Sequence, residues 1–336
     1  MALVGSGLVT SVGFSTQASC AAIRAKLSNP SETRFRDSAG DWIMSHTVEL
    51  DRPLRGLAKL IQMAAMTAEE ALGAVSRDLW PQIPVLLCLA ERERQGRVQG
   101  LDDEVLTGVC ALLGDVRFAD DSHAIPQGRV SIGVALLRAR QLLYQSKVPA
   151  VLILAADSLL CWQTLHSFDQ AGRLLNERNS NGFVPGEAAS AVLLARSATG
   201  PHLSIDGLGF ATERVNVDTE APLRADGLTQ AITLALADAS RQMHEMDCRL
   251  TDISGEQYYF KEAALGVQRT LKQRKQEFDL WHPAESVGEV GSAVGPLLLT
   301  VAAEAGRGAY APGPAMLVHV ANDAGQRAAL VVHYRV

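Results

Sequence analysis

Two halves of this 336-residue chain echo each other, and that repeat constrains the fold more than any other feature. In the first half, a helical stretch over 129–144 leads into the apolar run AVLILAADS from Ala150 and later into GEAASAVLLAR. In the second, VGSAVGPLLLTVAAEAG leads into AMLVHVANDA and at once into GQRAALVVHYRV. Upstream, the Ala-rich helix 57–75 before IPVLLCLAE is matched by DGLTQAITLALADAS before LTDISGEQ. The period is near half the chain, far beyond the roughly 20–50 residues of a solenoid repeat. Leu3 to Val12 reads as a strand and Pro53 to Val75 as a long buried helix, while Ile83 to Ala90 is a continuous apolar strand of the kind covered on both faces. Strands alternating with helices imply an α/β layered fold built from a duplicated unit.

Composition narrows the function classes. With 47% hydrophobic residues, the chain can bury a large core. A net charge of -6 and only 5% aromatics argue against a nucleic-acid surface. The one basic run, RTLKQRKQEF from Arg269 to Phe278, reads as a solvated helix face. Five cysteines (Cys20, Cys88, Cys110, Cys161, Cys248) are scattered and form no CxxC pair, so neither a disulfide framework nor a thiolate metal site is expected and a reducing cytoplasm fits. No basic residue precedes Arg24, which argues against a secretory signal, and the longest apolar runs fall short of the roughly 20 residues a membrane span needs. The eight histidines make no HExxH or closely spaced pair, so no metal is expected. The opening GSG lacks the third glycine and the acidic partner of a dinucleotide fingerprint, so no cofactor is expected either.

The order GSGLVTSVG, helix, strand, helix 129–144, AVLILAADS, GFVPGEAASAVLLA, GEVGSAVG and NDAGQRAALVV resembles the β-ketoacyl-acyl carrier protein synthases of the thiolase-like superfamily over nearly the whole chain. GFVPGEAASAVLLA stands where that family carries a GFV-x-GEGAG-type segment, and GSGLVTSVG resembles its opening motif. The resemblance implies a five-layered α-β-α-β-α fold of two halves, 1–200 and 201–336, and a dimer built across a sheet edge, expected at the strand beginning at Ala150. It also gives Glu187, in NGFVPGEAASAVLLAR, a structural role: a buried carboxylate at a corner must find backbone or arginine partners.

The family's chemistry is a decarboxylative condensation on a cysteine at a helix N-terminus, assisted by two histidines and a lysine. Counting back from AVLILAADS places the cysteine position at Val130, with Ser131 beside it and Gln127 three residues earlier. Within LTDISGEQYYFKEA, Gly255 puts Ser254 at the first histidine position. In ESVGEVGSAVG, Gly288 puts Ala284 at the lysine position and Glu289 at the second histidine. Asp323 stands where the gate loop carries a bulky aromatic, and only Glu177 to Asn181 separate GRLLN from GFVPG where the family has a long loop.

Two uses of such a chain follow from the resemblance. One is a ketosynthase-like protein without condensing activity, a partner or scaffold subunit in an acyl carrier protein-dependent fatty acid or polyketide-type pathway, paired with itself or with an authentic ketosynthase. The other is an acyltransferase or decarboxylase of altered chemistry on an acyl thioester, with Ser254, Glu256 and Glu289 as its catalytic groups. A purely structural dimer is the third alternative. Against catalysis, Glu256 and Glu289 read more simply as solvated or helix-capping carboxylates. His123 reads as an exposed loop residue, and Cys161, with His166 five residues on, as a small buried hydrophobe.

Overall fold

The computed structural model describes residues 1–219 and 221–336. The first half runs β1 (Ala2–Val9), α1 (Thr16–Arg24), the hairpin β2 (Ser31–Arg36) and β3 (Trp42–Ser45), α2 (Gly56–Leu72), β4 (Val85–Cys88), α3 (Leu101–Leu112), β5 (His123–Ile125), α4 (Ser131–Gln141), β6 (Val151–Ser158), α5 (Trp162–Gln170) and β7 (Glu187–Ala195). The second runs β8 (His202–Thr212), α6 (Asp226–Asp238), β9 (Cys248–Thr251), α7 (Gln257–Thr270), β10 (Leu280–Trp281), α8 (Ala284–Val287), α9 (Val294–Arg307), β11 (Ala315–Ala321) and β12 (Gln326–Arg335).

The strands repeat one order outward from the middle: β1-β7-β6-β4-β5 on one side, β8-β12-β11-β9-β10 on the other. In each set the first three neighbours pair antiparallel and the remaining strands parallel. The sets meet through a short antiparallel contact, Ala2 opposite Ser204 and Leu3 opposite Leu203. Because successive side chains on a strand point to opposite faces, the apolar runs divide by parity. Leu152, Leu154 and Ala156 of β6 pack under α2 and α3, while Val151, Ile153 and Ala155 face α4 and α9. On β11, Met316, Val318 and Val320 join the same central layer, and Ala315 and Leu317 pack against α6. The order is therefore α2/α3, sheet, α4/α9, sheet, α6/α7, the five layers expected, with α4 and α9 in the middle.

The GSG of β1 is explained by packing. A Cβ on Gly7 would come within 2.0 Å of the Thr67 carbonyl oxygen, and one on Gly5 within 2.2 Å of that of Ala71, so both glycines let α2 lie directly on the strand. Gly209 and Gly207 of β8 do the same beneath α6, against Ala231 and Ala235.

Two expectations are corrected. The strand beginning at Ala150 is not a sheet edge: β6 lies between β7 and β4, and the free edges are β5 and β10. Its uninterrupted apolar run reflects burial on both faces, which an interior strand needs as much as a dimer edge does. The basic run is not a helix face either. Helix α7 ends at Thr270, and most of the run is the connection to β10, where Lys275 donates to the carbonyls of His244 (3.0 Å) and Met246 (2.5 Å).

Glu187 starts β7 with 2% of its surface exposed. It accepts the Val48 amide (3.0 Å) and the Ser158 hydroxyl (2.9 Å) and forms an ion pair with Lys59. The carboxylate thus ties the strand to the 46–48 segment and to α2, with a lysine in place of the arginine expected. No helix among the described residues is long and apolar enough to cross a membrane.

Candidate functional site

The turn Gly128–Val130 leads into α4 at the interface of the two halves, and its geometry decides which side chain enters the space above the sheets. Gly128 has φ 58°, and a Cβ there would fall 1.8 Å from Oε1 of Glu91, so only glycine is accommodated. The turn sends Val130 into the central core and Arg129 into a cleft of about 500 Å³.

Arg129 is 6% exposed and lies among oxygen atoms from four segments. Nη1 donates to Oε2 of Glu289 (3.3 Å), Nη2 to Oδ1 of Asp323 (2.8 Å) and to the Tyr259 hydroxyl (3.0 Å), and Nε lies 3.7 Å from Asp252. Its guanidinium also sits 4.8 Å from the Tyr259 ring centroid. A second arginine, Arg173, grips Glu256 in bidentate fashion (2.7 and 2.8 Å) and reaches Asp323 at 2.7 Å, backed by the Phe168 and Phe183 rings. Tyr259 donates to Asp323 at 2.5 Å. At the cleft's other wall Arg94 forks onto Asp157 (3.1 and 2.5 Å), which also accepts the Ser292 amide, and the Nε of Arg94 has no partner. The half-buried Glu91 carboxyl lies beside Gly128 and within reach of the charges of Arg94 and Arg129.

The electrostatics follow from this geometry. Burial pushes Glu289 up to about 7; Arg129 opposes the shift and nearby Asp252 adds to it. Burial raises Asp252 and Glu91 as well, against the pull of neighbouring arginines. Asp323 goes the other way: burial alone would raise it, but Arg129, Arg173 and the Tyr259 hydroxyl together hold it well below the usual carboxylate range. The cluster around Arg129 and Arg173 has four carboxyls (Asp252, Glu256, Glu289, Asp323) for two guanidiniums, an excess of negative charge that favours proton uptake by the carboxyls raised there, Glu289 and Asp252.

Of the residues singled out in the sequence, Ser254 and Glu289 come together, the serine hydroxyl donating to Oε2 at 2.9 Å. Oε1 of Glu289 accepts the Gly291 amide at 2.9 Å, the helix-start contact its position suggested. Glu256 joins the same cluster, but neither solvated nor capping α7: it is 4% exposed and committed to Arg173. Asp323 is the shared acceptor at the centre. Ser131 is buried and bonded to the Ile125 carbonyl (2.9 Å), which makes it a scaffold residue, and the Gln127 amide donates back to that hydroxyl (3.1 Å). Ala284 lies on α8, outside the cleft. His123 is exposed on β5. Cys161 donates to the Gly96 carbonyl and His166 stacks on Trp162, so the two form no pair. Among the described residues no cysteine or histidine lines the cleft, and no group of three or more His, Cys, Asp or Glu side chains is placed to hold a metal ion. Sequence reasoning missed Arg129, Arg173, Arg94, Tyr259 and Asp252; the only available signal for the first was its place directly after a glycine at a helix start.

No family model and no curated protein matches the chain by sequence. Solved structures do match by shape. One chain of the complex of a type II PKS acyl-carrier protein with its ketosynthase bound to the hexaketide superposes with a TM-score of 0.81 at 15% identity, over 99% of this chain and 98% of that one. The ishigamide ketosynthase/chain length factor gives 0.78 at 15%, also over 99% and 98%. A β-ketoacyl synthase from Burkholderia phymatum gives 0.74 at 15%, over 100% and 99%. Along its whole length, this chain has the thiolase-like fold of the ketosynthases and chain length factors.

Proposed function

We propose that this protein is a ketosynthase-like subunit without condensing activity, a partner or scaffold in an acyl carrier protein-dependent fatty acid or polyketide-type pathway. One observation carries the reading: at the start of the central helix α4, a buried arginine with its carboxylate and phenol partners occupies the cleft, where condensation needs a thiolate and neutral donors. A guanidinium satisfied by three carboxylates is neither a nucleophile nor a free donor for an enolate. On this reading Val130, Ser254, Ala284 and Glu289 occupy the positions of a lost cysteine, first histidine, lysine and second histidine, in that order. The halves 1–200 and 201–336 are the products of a duplication, and the subunit works in the cytoplasm as a dimer with itself or with an authentic ketosynthase. The free edge of β5, exposed at His123, is the natural place for that pairing.

A second reading, acyl transfer or decarboxylation on an acyl thioester, is favoured by the Ser254–Glu289 hydrogen bond, since a carboxyl near 7 can take the serine proton at neutral pH. Intact-mass spectrometry after incubation with malonyl- and acyl-loaded carrier protein separates the two. The non-condensing reading expects no covalent adduct and no turnover, together with complex formation with the carrier protein or an authentic ketosynthase. A wild-type rate above background that collapses in Ser254→Ala or Glu289→Gln would replace it with the second.

A further inference from the structure

A second cavity, of about 260 Å³, opens between the last turn of α1, the β10–α8 segment and α9, and shares no lining residue with the arginine cleft. Its walls are largely apolar, formed by Ile23, Leu280, Trp281, Pro283, Val301 and Tyr310. Cys20 completes them; burial pushes its thiol up to about 12, so it too is neutral. Trp281 and Tyr310 present near-parallel rings with centroids 6.3 Å apart.

The charged groups at this cavity are not balanced. Glu285 is already matched, by Lys26 at 3.8 Å and by Nε2 of His282 at 3.3 Å. Arg24 has no ion pair among the described residues and instead lies over the Tyr310 ring, its guanidinium carbon 4.2 Å from the centroid. Stacking on a ring restrains a guanidinium without using its N–H donors, which stay available in the planar fork that matches a carboxylate. An apolar cavity with one unused planar cation at its edge selects a molecule with the complementary halves.

We infer that this cavity is a binding site for a small carboxylate with a short apolar body. The body lies between Trp281, Val301 and Tyr310, and the carboxylate takes the open side of Arg24. One unpaired cation answers one negative charge, which favours a monoanion over a phosphate. The volume is below the roughly 300–1,000 Å³ of sites for drug-sized ligands, so the occupant is fragment-sized.

Isothermal titration calorimetry with sodium octanoate tests this, with octanol and octylammonium as probes of the same length and different charge. Arg24 is exposed and Ile23 only half-buried, so Arg24→Glu and Ile23→Trp alter the cavity without removing a core residue. The expected result is saturable one-site binding of octanoate to the full chain, weakened at least tenfold in each variant, with octanol and octylammonium weaker than octanoate on wild type. Octanoate that does not saturate, or that binds either variant within twofold of wild type, overturns the site. Octanol or octylammonium binding as tightly as octanoate overturns the role given to Arg24.

Discussion

Replacing Arg129 by methionine removes the cation but keeps an apolar stem of similar length, and the partners left behind set the cost. Asp323 retains Arg173 and Tyr259. Glu289 keeps the Ser254 hydroxyl and Gly291 amide, and Asp252 the Ala321 amide, the Thr251 hydroxyl and the weaker pull of Arg327, but neither keeps an ion pair. Breaking a buried ion pair by removing one partner costs about 3–5 kcal/mol, because the remaining charge is uncompensated. The carboxyls can escape that cost by binding protons, so it depends on pH. In the wild type, the folded-state value of Glu289, about 7, lies above its ordinary 4.5. The folded state therefore binds the extra proton between these values, and this group's contribution to stability is greatest below about 4.5 and declines as pH rises to about 7. Without Arg129, which holds the value down, the decline continues to higher pH. The expected loss is about 3–5 kcal/mol at pH 8.5, and about 1–2 kcal/mol at pH 5, where chiefly the Tyr259 contacts and packing are lost. Urea denaturation of both proteins at the two pH values measures it. Adding Glu289→Gln to Arg129→Met should recover part of the loss at pH 8.5 and flatten the pH dependence. Equal losses at both pH values, or a double variant no more stable than the single one, would refute the coupling of Arg129 to Glu289.

Other outcomes can be measured in the same way. Glu187→Ala should cost about 3 kcal/mol by stranding Lys59 and the Val48 amide, and Glu187→Gln clearly less, since it keeps acceptors for the amide and Ser158; a loss under about 1 kcal/mol for the alanine variant would show that the corner does not depend on this carboxylate. Gly128→Ala should cost about 1–3 kcal/mol, because it forces a positive φ on alanine and meets Glu91, and Glu91→Ala in the same chain should return only the steric share; full recovery would show that backbone strain is absent. Light scattering at micromolar concentration should give the mass of a dimer, and the mass of a single chain would remove the β5 edge as a self-pairing surface.

The layered architecture was legible because it rests on local pattern. Runs such as AVLILAADS and AMLVHVANDA are apolar at consecutive positions, and such a strand must be covered on both faces, which fixes sheets between helices before any contact is known. The half-chain repeat likewise predicts two equivalent strand sets. Glu187 was readable for a similar reason: a charge between Pro-Gly and a core strand has to be paired, whichever partner supplies the pairing. Strand order was not legible, since an interior strand and a covered edge have the same composition. By composition β6 therefore reads as an edge, whereas the edge at that end of the sheet is β5.

The cleft shows the same division more sharply. Ser254 and Glu289 could be brought together from their places in two glycine-anchored segments, but Arg129 and Arg173 read as ordinary arginines of a helix start and a loop. Their burial depends on Gly128 turning the chain at a positive φ and on residues 129, 173, 252–259, 289 and 323 converging from both halves of the molecule. The sequence by itself determined that this chain repeats an α/β layered unit and must pair Glu187, because apolar periodicity and the cost of an unpaired buried charge act residue by residue. Only the tertiary structure decided that the cleft is held by arginines and which carboxyls there are raised and which lowered, because a buried charge depends on neighbours that are distant in the chain.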